Sequence, residues 1–252
     1  MEIKLLQNQK SQLEENYEDK LKKIIITGSE GLIGKETALY FKEQGYEVVE
    51  CDISLGHDLT DEQFVKRFFL ENKSTYLLNL FALNDHIGAE GVKKSNIFDV
   101  SLKSFEEYTK VNLVSLFSVC RQWAANNATG AIVNVSSLYS SISPDPKLYR
   151  TSEQPDKQKH IAYGVTKAGV EQLSRHLSAH LAPNIRVNCV APGGVVSSSQ
   201  SEGFKKRFND KVLLKRQQKV NELFGIFKYL CSEESSYATG TVFKIDGGYA
   251  QV

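Results

Sequence analysis

A tyrosine and a lysine stand at positions i and i+4 of the segment Tyr163-Gly164-Val165-Thr166-Lys167. The spacing of apolar residues around them predicts a helix, and positions i and i+4 lie on one helix face. An ammonium group beside a phenol favours the phenolate and lowers the phenol pKa from its ordinary value of about 10. The pair therefore predicts a general acid/base, although the same spacing is common on ordinary surface helices.

A glycine-rich turn follows the first apolar run of the chain. In a strand-turn-helix unit, Gly28 allows a tight turn, Gly31 lets a pyrophosphate approach bare backbone, and Gly34 lets the helix pack closely on the sheet. The N–H groups of the helix would face the phosphates. The motif predicts a dinucleotide-binding turn rather than a simple strand-to-helix connection, formed by Thr27, Gly28, Ser29, Gly31, Leu32, Ile33 and Gly34.

A carboxylate closes the second predicted strand. Asp52 lies 24 residues after Gly28, where a dinucleotide-binding unit places the acidic residue that accepts hydrogen bonds from the adenosine ribose. A carboxylate at this point repels a 2′-phosphate, and Glu30 within the turn adds a second negative charge. Both features predict NAD rather than NADP, with a strand-end turn as the alternative interpretation of Asp52.

Short apolar runs alternate with longer amphipathic stretches from residue 22 to the end. The predicted strands are 22–27, 46–52, 75–81, 131–136, 185–190 and 241–246, and the predicted helices are 32–44, 61–72, 102–126, 160–181 and 220–231. The strands lack strict polar alternation, as expected when both faces are covered. This order predicts an α/β fold with a single doubly wound, Rossmann-type parallel sheet, helices on both faces, and ligands at the carboxyl ends of the strands.

Composition excludes several classes of protein. The chain has 252 residues, is 41% hydrophobic and carries a formal net charge of +1, which argues against a nucleic-acid partner or an acidic membrane surface. The four cysteines lie far apart without metal-ligand spacing, so reduced thiols and no metal are expected. No apolar run is long enough to span a membrane and the first residues do not resemble a signal peptide, so the expected location is cytoplasmic.

Six motifs in a fixed order give the chain a family resemblance. They are Thr27 to Gly34, Asn112 in KVNLVSLF, Asn134-Val135-Ser136-Ser137, Tyr163 to Lys167, Pro192-Gly193 and Asp246-Gly247-Gly248. With them the chain resembles the compact branch of the short-chain dehydrogenase/reductase family from about residue 21 to the C-terminus. Residues 21–252 are thus expected to be one NAD-binding domain, preceded by a polar N-terminal extension at 1–20.

The resemblance implies roles for individual residues. Tyr163 matches the acid/base of the family, Lys167 the residue that binds the nicotinamide ribose and lowers the tyrosine pKa, Ser137 the hydroxyl that orients the carbonyl, and Asn112 the asparagine that holds a water in the proton relay. Further matches implied to contact cofactor are Pro192, Gly193, Val195 and Ser197 beside the nicotinamide, and Asp58 and Leu59 beside the adenine.

Three features depart from the family pattern. The usual Asn-Asn-Ala-Gly is replaced by Leu80-Phe81-Ala82-Leu83, so only Ala82 matches and the cofactor-side asparagine is either missing or shifted to Asn79. The glycine spacing is also that of the longer sugar-nucleotide epimerase branch. Finally, the loop from Ser137 to Tyr163 is longer than in compact members, and a similar loop occurs in relatives from bacterial cell-surface and flagellar sugar pathways.

The leading hypothesis is an NAD(H)-dependent oxidoreductase that transfers hydride between nicotinamide and a secondary alcohol or ketone of a small molecule. A nucleotide-sugar epimerase or dehydratase is one alternative, but too few residues follow Lys167 to form a sugar-nucleotide domain. A non-catalytic dinucleotide-binding regulator is another. By analogy with the family, the long helices 102–126 and 160–181 are expected to pair subunits into a homodimer or homotetramer.

A concentration of positive charge suggests a polar, anionic substrate such as a sugar phosphate. Residues 197–219 carry seven basic side chains, including Arg207, and two acidic ones. In the family this segment covers the substrate, and a cationic cover attracts anions. Tyr149 and Arg150 in the long loop are expected to join Arg207 at the substrate. The alternative is an ordinary solvated helix face.

Overall fold

Six strands form one parallel sheet in the order β2-β1-β3-β4-β5-β6. Their bounds are β1 Lys23–Thr27, β2 Glu47–Cys51, β3 Tyr76–Asn79, β4 Gly130–Val135, β5 Ile185–Pro192 and β6 Val242–Ile245. The computed structural model describes residues 22–84, 97–152 and 157–251. All six predicted strands are present, and the polar extension expected at 1–20 lies outside the described residues.

Seven α-helices occur in the described ranges. They are α1 Gly34–Glu43, α2 Glu62–Glu71, α3 Leu102–Thr109, α4 Leu116–Asn126, α5 Ile161–Leu181, α6 Glu202–Lys211 and α7 Phe224–Leu230. The predicted helix 102–126 is divided by wider π-helical turns at Lys110–Ser115. Sequence analysis missed α6, because this segment is too polar to show a clear apolar face; Ser201 caps it by accepting from the Phe204 N–H.

The sheet is covered on both faces, as predicted. Consecutive side chains of β1 point to opposite sides, with Ile25 in one core and Ile24 and Ile26 in the other, and all three are fully buried. The first core is closed by α2, α4 and α5, including Trp123. The second is closed by α1 and α7, including Phe227. Burial on both faces explains the near-continuous apolar strands.

The strand order reverses between β1 and β3, which are neighbours in the sheet. The chain leaves β1 toward β2 on one side and returns to β3 on the other, so the loops after these strands diverge and leave a crevice. Ligands of open α/β sheets bind at such a switch point. No helix of the described residues is long and apolar enough to cross a membrane.

Candidate active site

A cavity of about 600 Å³ opens at the carboxyl ends of the strands. It extends from the glycine turn to the start of α5 and brings together most of the predicted site. The predicted residues that line it are Gly28, Gly31, Leu32, Ile33, Gly34, Asp52, Asp58, Leu59, Ala82, Ser137, Tyr149, Tyr163, Lys167, Pro192, Gly193, Val195 and Ser197. Thr27, Ser29, Asn112, Arg150 and Arg207 are not in its lining.

The glycine turn has the geometry that a phosphate needs. Gly28 adopts φ +71°, and a Cβ there would lie 2.5 Å from the backbone N of Phe81. At Gly34 a Cβ would lie 2.0 Å from the Gly28 carbonyl oxygen, so the turn could not close. At Gly31 an added Cβ would contact nothing nearer than 3.3 Å within the protein. Its bare backbone faces the cavity, where a ligand group can approach closely.

Thr27 and Ser29, which the sequence predicts to contact the cofactor, are not in the lining of this cavity. Thr27 is fully buried and its hydroxyl donates to Asn79 Oδ1 at 2.8 Å. Asn79 in turn donates to Asn134 at 2.8 Å, so it belongs to a buried network across the sheet and does not take over the missing cofactor-side asparagine. Ser29 is also fully buried, and its Oγ has no hydrogen-bond partner among the described atoms.

Asp52 lies where the adenosine ribose was predicted. Its Oδ2 accepts from the Glu30 N–H at 3.1 Å, and its Oδ1 accepts from the Ser54 N–H and hydroxyl at 2.9 Å each. These bonds fix the end of β2 to the glycine turn. A carboxylate offers about four acceptor positions, so one remains for a ligand hydroxyl. Asp58 and Leu59 line the same end of the cavity.

Tyr163, Lys167 and Ser137 meet at the other end. Tyr163 and Lys167 lie on one face of α5, with the Lys167 ammonium 5.9 Å from the Tyr163 ring centroid. Lys167 donates to the Val135 carbonyl at 2.8 Å, which anchors it at the end of β4. Ser137 follows that strand, and its side chain is close enough to the Tyr163 hydroxyl to affect the Tyr163 pKa. The three groups are almost completely buried.

Burial shifts the pKa values of Tyr163 and Lys167. Desolvation raises the pKa of Tyr163, and the hydrogen bond with Ser137 opposes that rise. Desolvation also lowers the pKa of Lys167 to about 8, because a buried ammonium loses its hydration. The lowering of the phenol pKa by Lys167, expected from the spacing alone, is therefore opposed here by burial of the phenol.

The Asn112 side chain is hydrogen-bonded to the main chain of Leu83, in the segment after β3. Its Oδ1 accepts from the Leu83 N–H at 2.7 Å, and its amide donates to the Leu83 carbonyl and to Thr166 Oγ1, both at 3.1 Å. The π-helical turns around Asn112 place it between α5 and the segment after β3. The side chain thus positions the wall that carries Ala82 and does not itself line the cavity, and the water-holding role implied by the resemblance stays a prediction.

The wall opposite the trio is formed after β5 and β6. Gly193 donates to the Ile245 carbonyl at 2.8 Å, and a Cβ at Gly193 would lie 3.0 Å from Asp246 Cα. Asp246 accepts from the Gly248 and Ala250 N–H groups, which closes the terminal turn. Pro192, Val195 and Ser197 continue this wall. The Asp246-Gly247-Gly248 turn therefore packs against Gly193 and supports this wall of the cavity.

Several charges of the basic segment 197–219 are held by groups of the protein itself. The Arg207 guanidinium donates to the carbonyls of Leu148 and Arg150, at 2.8 and 3.3 Å from its Nη2. Lys205 pairs with Glu202 at 2.7 Å and Lys211 with Asp145 at 2.8 Å, while Arg216 pairs with Glu222 at 2.6 Å. Three of the seven basic side chains thus pair with carboxylates, and Arg207 binds main-chain carbonyls, so these four are not directed into the cavity; a role of the segment in binding an anion stays a prediction.

Several polar residues of the cavity were not predicted. Tyr139, two residues after Ser137, accepts a hydrogen bond from the Tyr149 hydroxyl at 2.8 Å. Lys159 lies four residues before Tyr163, just ahead of the start of α5, and its ammonium lies 4.4 Å from the Tyr163 ring centroid. The unpredicted polar lining also includes Asn84, Ser199 and Gln200. Proximity to Ser137 and Tyr163 in the sequence was the available signal for Tyr139 and Lys159.

The cavity fits a nicotinamide dinucleotide. The open backbone at Gly31 suits the pyrophosphate, Asp52 suits the adenosine ribose, and Lys167 is placed for the nicotinamide ribose. When bound, such a cofactor supplies or accepts hydride. The arrangement can also carry out a proton step: Tyr163 is placed to give a proton to, or take one from, a substrate oxygen in the cavity, and Ser137 is placed to hydrogen-bond that oxygen.

Comparison with known proteins agrees with this site. A family model described as Enoyl-(Acyl carrier protein) reductase matches residues 29–250. The glucose 1-dehydrogenase of Gluconobacter oxydans is 28% identical, over 92% of this chain and 94% of that protein. The crystal structure of a short-chain dehydrogenase from Leptospira borgpetersenii with bound NAD+ has a TM-score of 0.78 and 26% identity, covering 91% and 92% of the two chains.

A further structure shares the fold: a gluconate 5-dehydrogenase from Burkholderia cenocepacia in complex with NADP and tartrate, with a TM-score of 0.74, 18% identity, and coverage of 92% of this chain and 96% of that one. The fold and site define an α/β dinucleotide-dependent oxidoreductase. The chain belongs to the short-chain dehydrogenase/reductase family. It transfers hydride between a nicotinamide cofactor and a small-molecule substrate.

Proposed function

We propose that this enzyme uses NAD(H) to interconvert a secondary alcohol and a ketone on a small polyhydroxylated, sugar-like molecule. The observation that carries the cofactor choice is the charge at the adenosine end of the cavity. Asp52 and Asp58 stand there, and the lysines of the described lining, Lys159 and Lys167, stand at the catalytic end. A 2′-phosphate would therefore meet two carboxylates, and the described lining has no lysine or arginine beside them.

The catalytic end supports a polar substrate. Around Tyr163 and Ser137 the wall presents hydroxyl and amide groups, which can exchange hydrogen bonds with several substrate hydroxyls. They are Tyr139, Tyr149, Asn84, Ser199 and Gln200. The name of the Gluconobacter relative, glucose 1-dehydrogenase, supports the same substrate class. Because Ser137, Tyr163 and Lys167 are all in place, the structure gives no reason to favour a non-catalytic regulator.

The cofactor preference and the substrate class can be measured separately, and the cofactor comes first. NADH and NADPH are titrated against the protein and its Asp52→Ala variant by cofactor fluorescence. We expect the wild type to bind NADH more tightly than NADPH. In the Asp52→Ala variant the two affinities should be closer, because the acceptor for the ribose hydroxyls and the charge that repels the 2′-phosphate are both lost. Equal affinity of the wild type for both cofactors would contradict the NAD assignment.

For the substrate, NAD reduction is followed with polyols and aldoses of four to six carbons and with aliphatic and steroid secondary alcohols. The proposal expects the highest kcat/KM among the polyhydroxylated compounds. A clear preference for an apolar alcohol would contradict it, whatever the cofactor result.

An assembly of two or four copies is proposed from the outer faces of α3, α4 and α5. Apolar side chains there are exposed: Leu102 is 82% exposed, Val114 58%, Phe117 42%, Ile161 44% and Val165 50%. Covering such a face is the usual use of an apolar patch. Sedimentation of the full chain, compared with a Phe117→Lys variant, tests this: a monomeric wild type would contradict it. A cytoplasmic location stays a prediction from the sequence.

A further inference from the structure

A buried carboxylate lies behind the catalytic end of the cavity. Glu171 is on α5, one helical turn after Lys167 and two turns after Tyr163. Its side chain is buried, at 7% exposure of the residue, and it is not in the cavity lining. A carboxylate is costly to bury unless hydrogen bonds compensate for the lost water. The partners of Glu171 therefore indicate what it holds in place.

Glu171 binds the turn that carries Ser137. Its Oε1 accepts hydrogen bonds from the Ser140 hydroxyl and, at 3.5 Å, from the Ser136 hydroxyl. These two serines flank Ser137 where the chain leaves β4 and forms a single 3₁₀ turn. The other oxygen, Oε2, lies 3.5 Å from the half-exposed guanidinium of Arg175. The carboxylate thus faces residues 137–140, which we call the Ser137 turn.

The Ser137 turn packs directly on α5. A Cβ at Gly164 of this helix would lie 3.0 Å from the Tyr139 carbonyl oxygen, so helix and turn are in close contact there. Within the turn, the Tyr139 N–H donates to Ser137 Oγ at 3.2 Å. That bond uses an acceptor position of Oγ and leaves the hydroxyl proton for Tyr163 or a substrate oxygen. The orientation of the turn therefore sets the direction of the Ser137 hydroxyl.

We propose that Glu171 is a positioning residue that fastens the Ser137 turn to α5, so that Ser137, Tyr163 and Lys167 keep one arrangement during the reaction. This proposal rests on the proposed alcohol–ketone chemistry at Tyr163, but not on the choice of cofactor or of substrate class. Two contacts with the same helix, at Gly164 and Glu171, restrict rotation of the turn. A displacement of about 1 Å at a reacting group can lower the rate about 100-fold. Glu171 thus affects the reaction without touching the substrate.

Kinetics of four variants test the positioning role. Glu171→Ala removes the carboxylate, Glu171→Gln keeps an oxygen that can accept from Ser140, and Ser140→Ala removes the donor. Ser118→Ala is the matched control: Ser118 donates the same kind of bond to Glu62, between α4 and α2, and neither residue is in the cavity lining. NAD reduction is followed with D-glucose and with D-glucitol, and kcat is expressed per NADH-binding site.

We expect Glu171→Ala to lower kcat by about tenfold to a hundredfold, because the geometry of the reacting groups is loosened. KM and the NADH affinity should change little. Ser140→Ala should lower kcat in the same way, and the double variant should lose little more than Glu171→Ala alone, since both changes remove one contact. Glu171→Gln should retain most of the activity, and Ser118→Ala all of it. If Glu171→Ala does not fold, Ser140→Ala alone provides the test.

Hydrogen exchange tests the same contact without turnover, and it decides the matter if neither sugar compound reacts. Mass spectrometry of the full chain follows the backbone amides of the Ser137 turn. In Glu171→Ala and Ser140→Ala these amides should exchange about tenfold faster, as expected for loss of a hydrogen bond to a charged group. The amides of β1 should be unchanged. Faster exchange throughout the protein, with no excess at the turn, would overturn the proposal.

Three kinetic results also overturn it. One is an unchanged kcat in Glu171→Ala. Another is a loss in Glu171→Gln as large as in Glu171→Ala, which would assign the effect to negative charge near Lys167. The third is that the losses of Glu171→Ala and Ser140→Ala multiply in the double variant. Failure of the proposed function appears separately, as wild-type turnover in Tyr163→Phe or as preference for an apolar alcohol, and neither changes exchange at the turn.

Discussion

Tyr163 is the residue on which the chemistry of this site depends. It lies in the first turn of α5. The Ser137 side chain is near its hydroxyl group, and the ammonium groups of Lys159 and Lys167 are near its ring. Burial raises its pKa, whereas the hydrogen bond with Ser137 opposes that rise. The proton transfer therefore depends on a balance between desolvation and its neighbours.

Replacing Tyr163 by Phe removes the proton donor and leaves the ring. We expect kcat to fall by about 10²- to 10⁴-fold, the usual contribution of a general acid/base. NADH affinity should be unchanged, because the phenol acts on the substrate oxygen. Steady-state kinetics beside a fluorescence titration measure both, and wild-type turnover in the variant would assign Tyr163 a structural role only.

The two reaction directions should respond oppositely to pH. Alcohol oxidation needs the phenolate of Tyr163, and its raised pKa keeps that form scarce at neutral pH. Oxidation should therefore accelerate as pH rises from 7 to the alkaline range, whereas ketone reduction, which needs the phenol, should slow. Profiles of kcat/KM in both directions test this; an oxidation rate independent of pH would contradict the role of Tyr163.

At the scale of elements, α6 and the loop after β4 hold one another over the site. Phe204 and Phe208 of α6 pack with Leu148 and Tyr149, and Arg207 donates to the Leu148 carbonyl at 2.8 Å. A guanidinium that binds main-chain carbonyls in this way fixes the loop that carries Tyr149. Arg207 therefore shapes the substrate wall without contacting the cavity.

The Arg207→Ala variant should loosen that wall. We expect KM to rise by about fivefold to thirtyfold, matching the loss of one or two hydrogen bonds worth about 1 kcal/mol each, and equally for acidic and neutral substrates. Lys206→Ala, the exposed neighbour, should leave KM unchanged. A loss confined to acidic substrates would restore the role in anion binding that the sequence suggested.

At the scale of the whole molecule, four thiols are buried in the two cores. They belong to Cys51, Cys120, Cys189 and Cys231, and burial raises the pKa of each to about 12. In the unfolded chain a thiol titrates near its ordinary value. Between these values the folded protein keeps protons that the unfolded chain releases, so stability falls as pH rises. Lys167, with its pKa lowered to about 8, contributes in the opposite direction.

The four thiols outnumber this single lysine, so the free energy of unfolding should decrease steadily above about pH 9, on the order of 2 kcal/mol per thiol by pH 10.5. Urea titrations from pH 7.5 to 10.5 measure the change. Cys231→Ala should give a shallower pH dependence than the wild type. Stability that rises across this range would show that the lysine dominates.

The sequence by itself determined the fold and most of the cavity lining. Strand runs and helical periodicity are local properties, so β1 to β6 and the start of α5 could be predicted without knowledge of the packing. The same holds for Gly28 and Gly31, since a tight turn between a strand and a helix demands glycine wherever the chain lies. Tyr163 and Lys167 meet because one helical turn brings them together.

Only the tertiary structure decided which polar side chains reach the cavity. Thr27 donates a hydrogen bond to Asn79, 52 residues away in the sequence, and Arg207 donates one to the Leu148 carbonyl, 59 residues away. Lys159 is joined to Asn84 across 75 residues. A buried polar group must find a hydrogen-bond partner, and such partners come from segments whose proximity exists only after the sheet has formed. Sequence spacing therefore predicts where the site lies, whereas tertiary packing determines which polar side chains line the cavity and which form hydrogen bonds elsewhere.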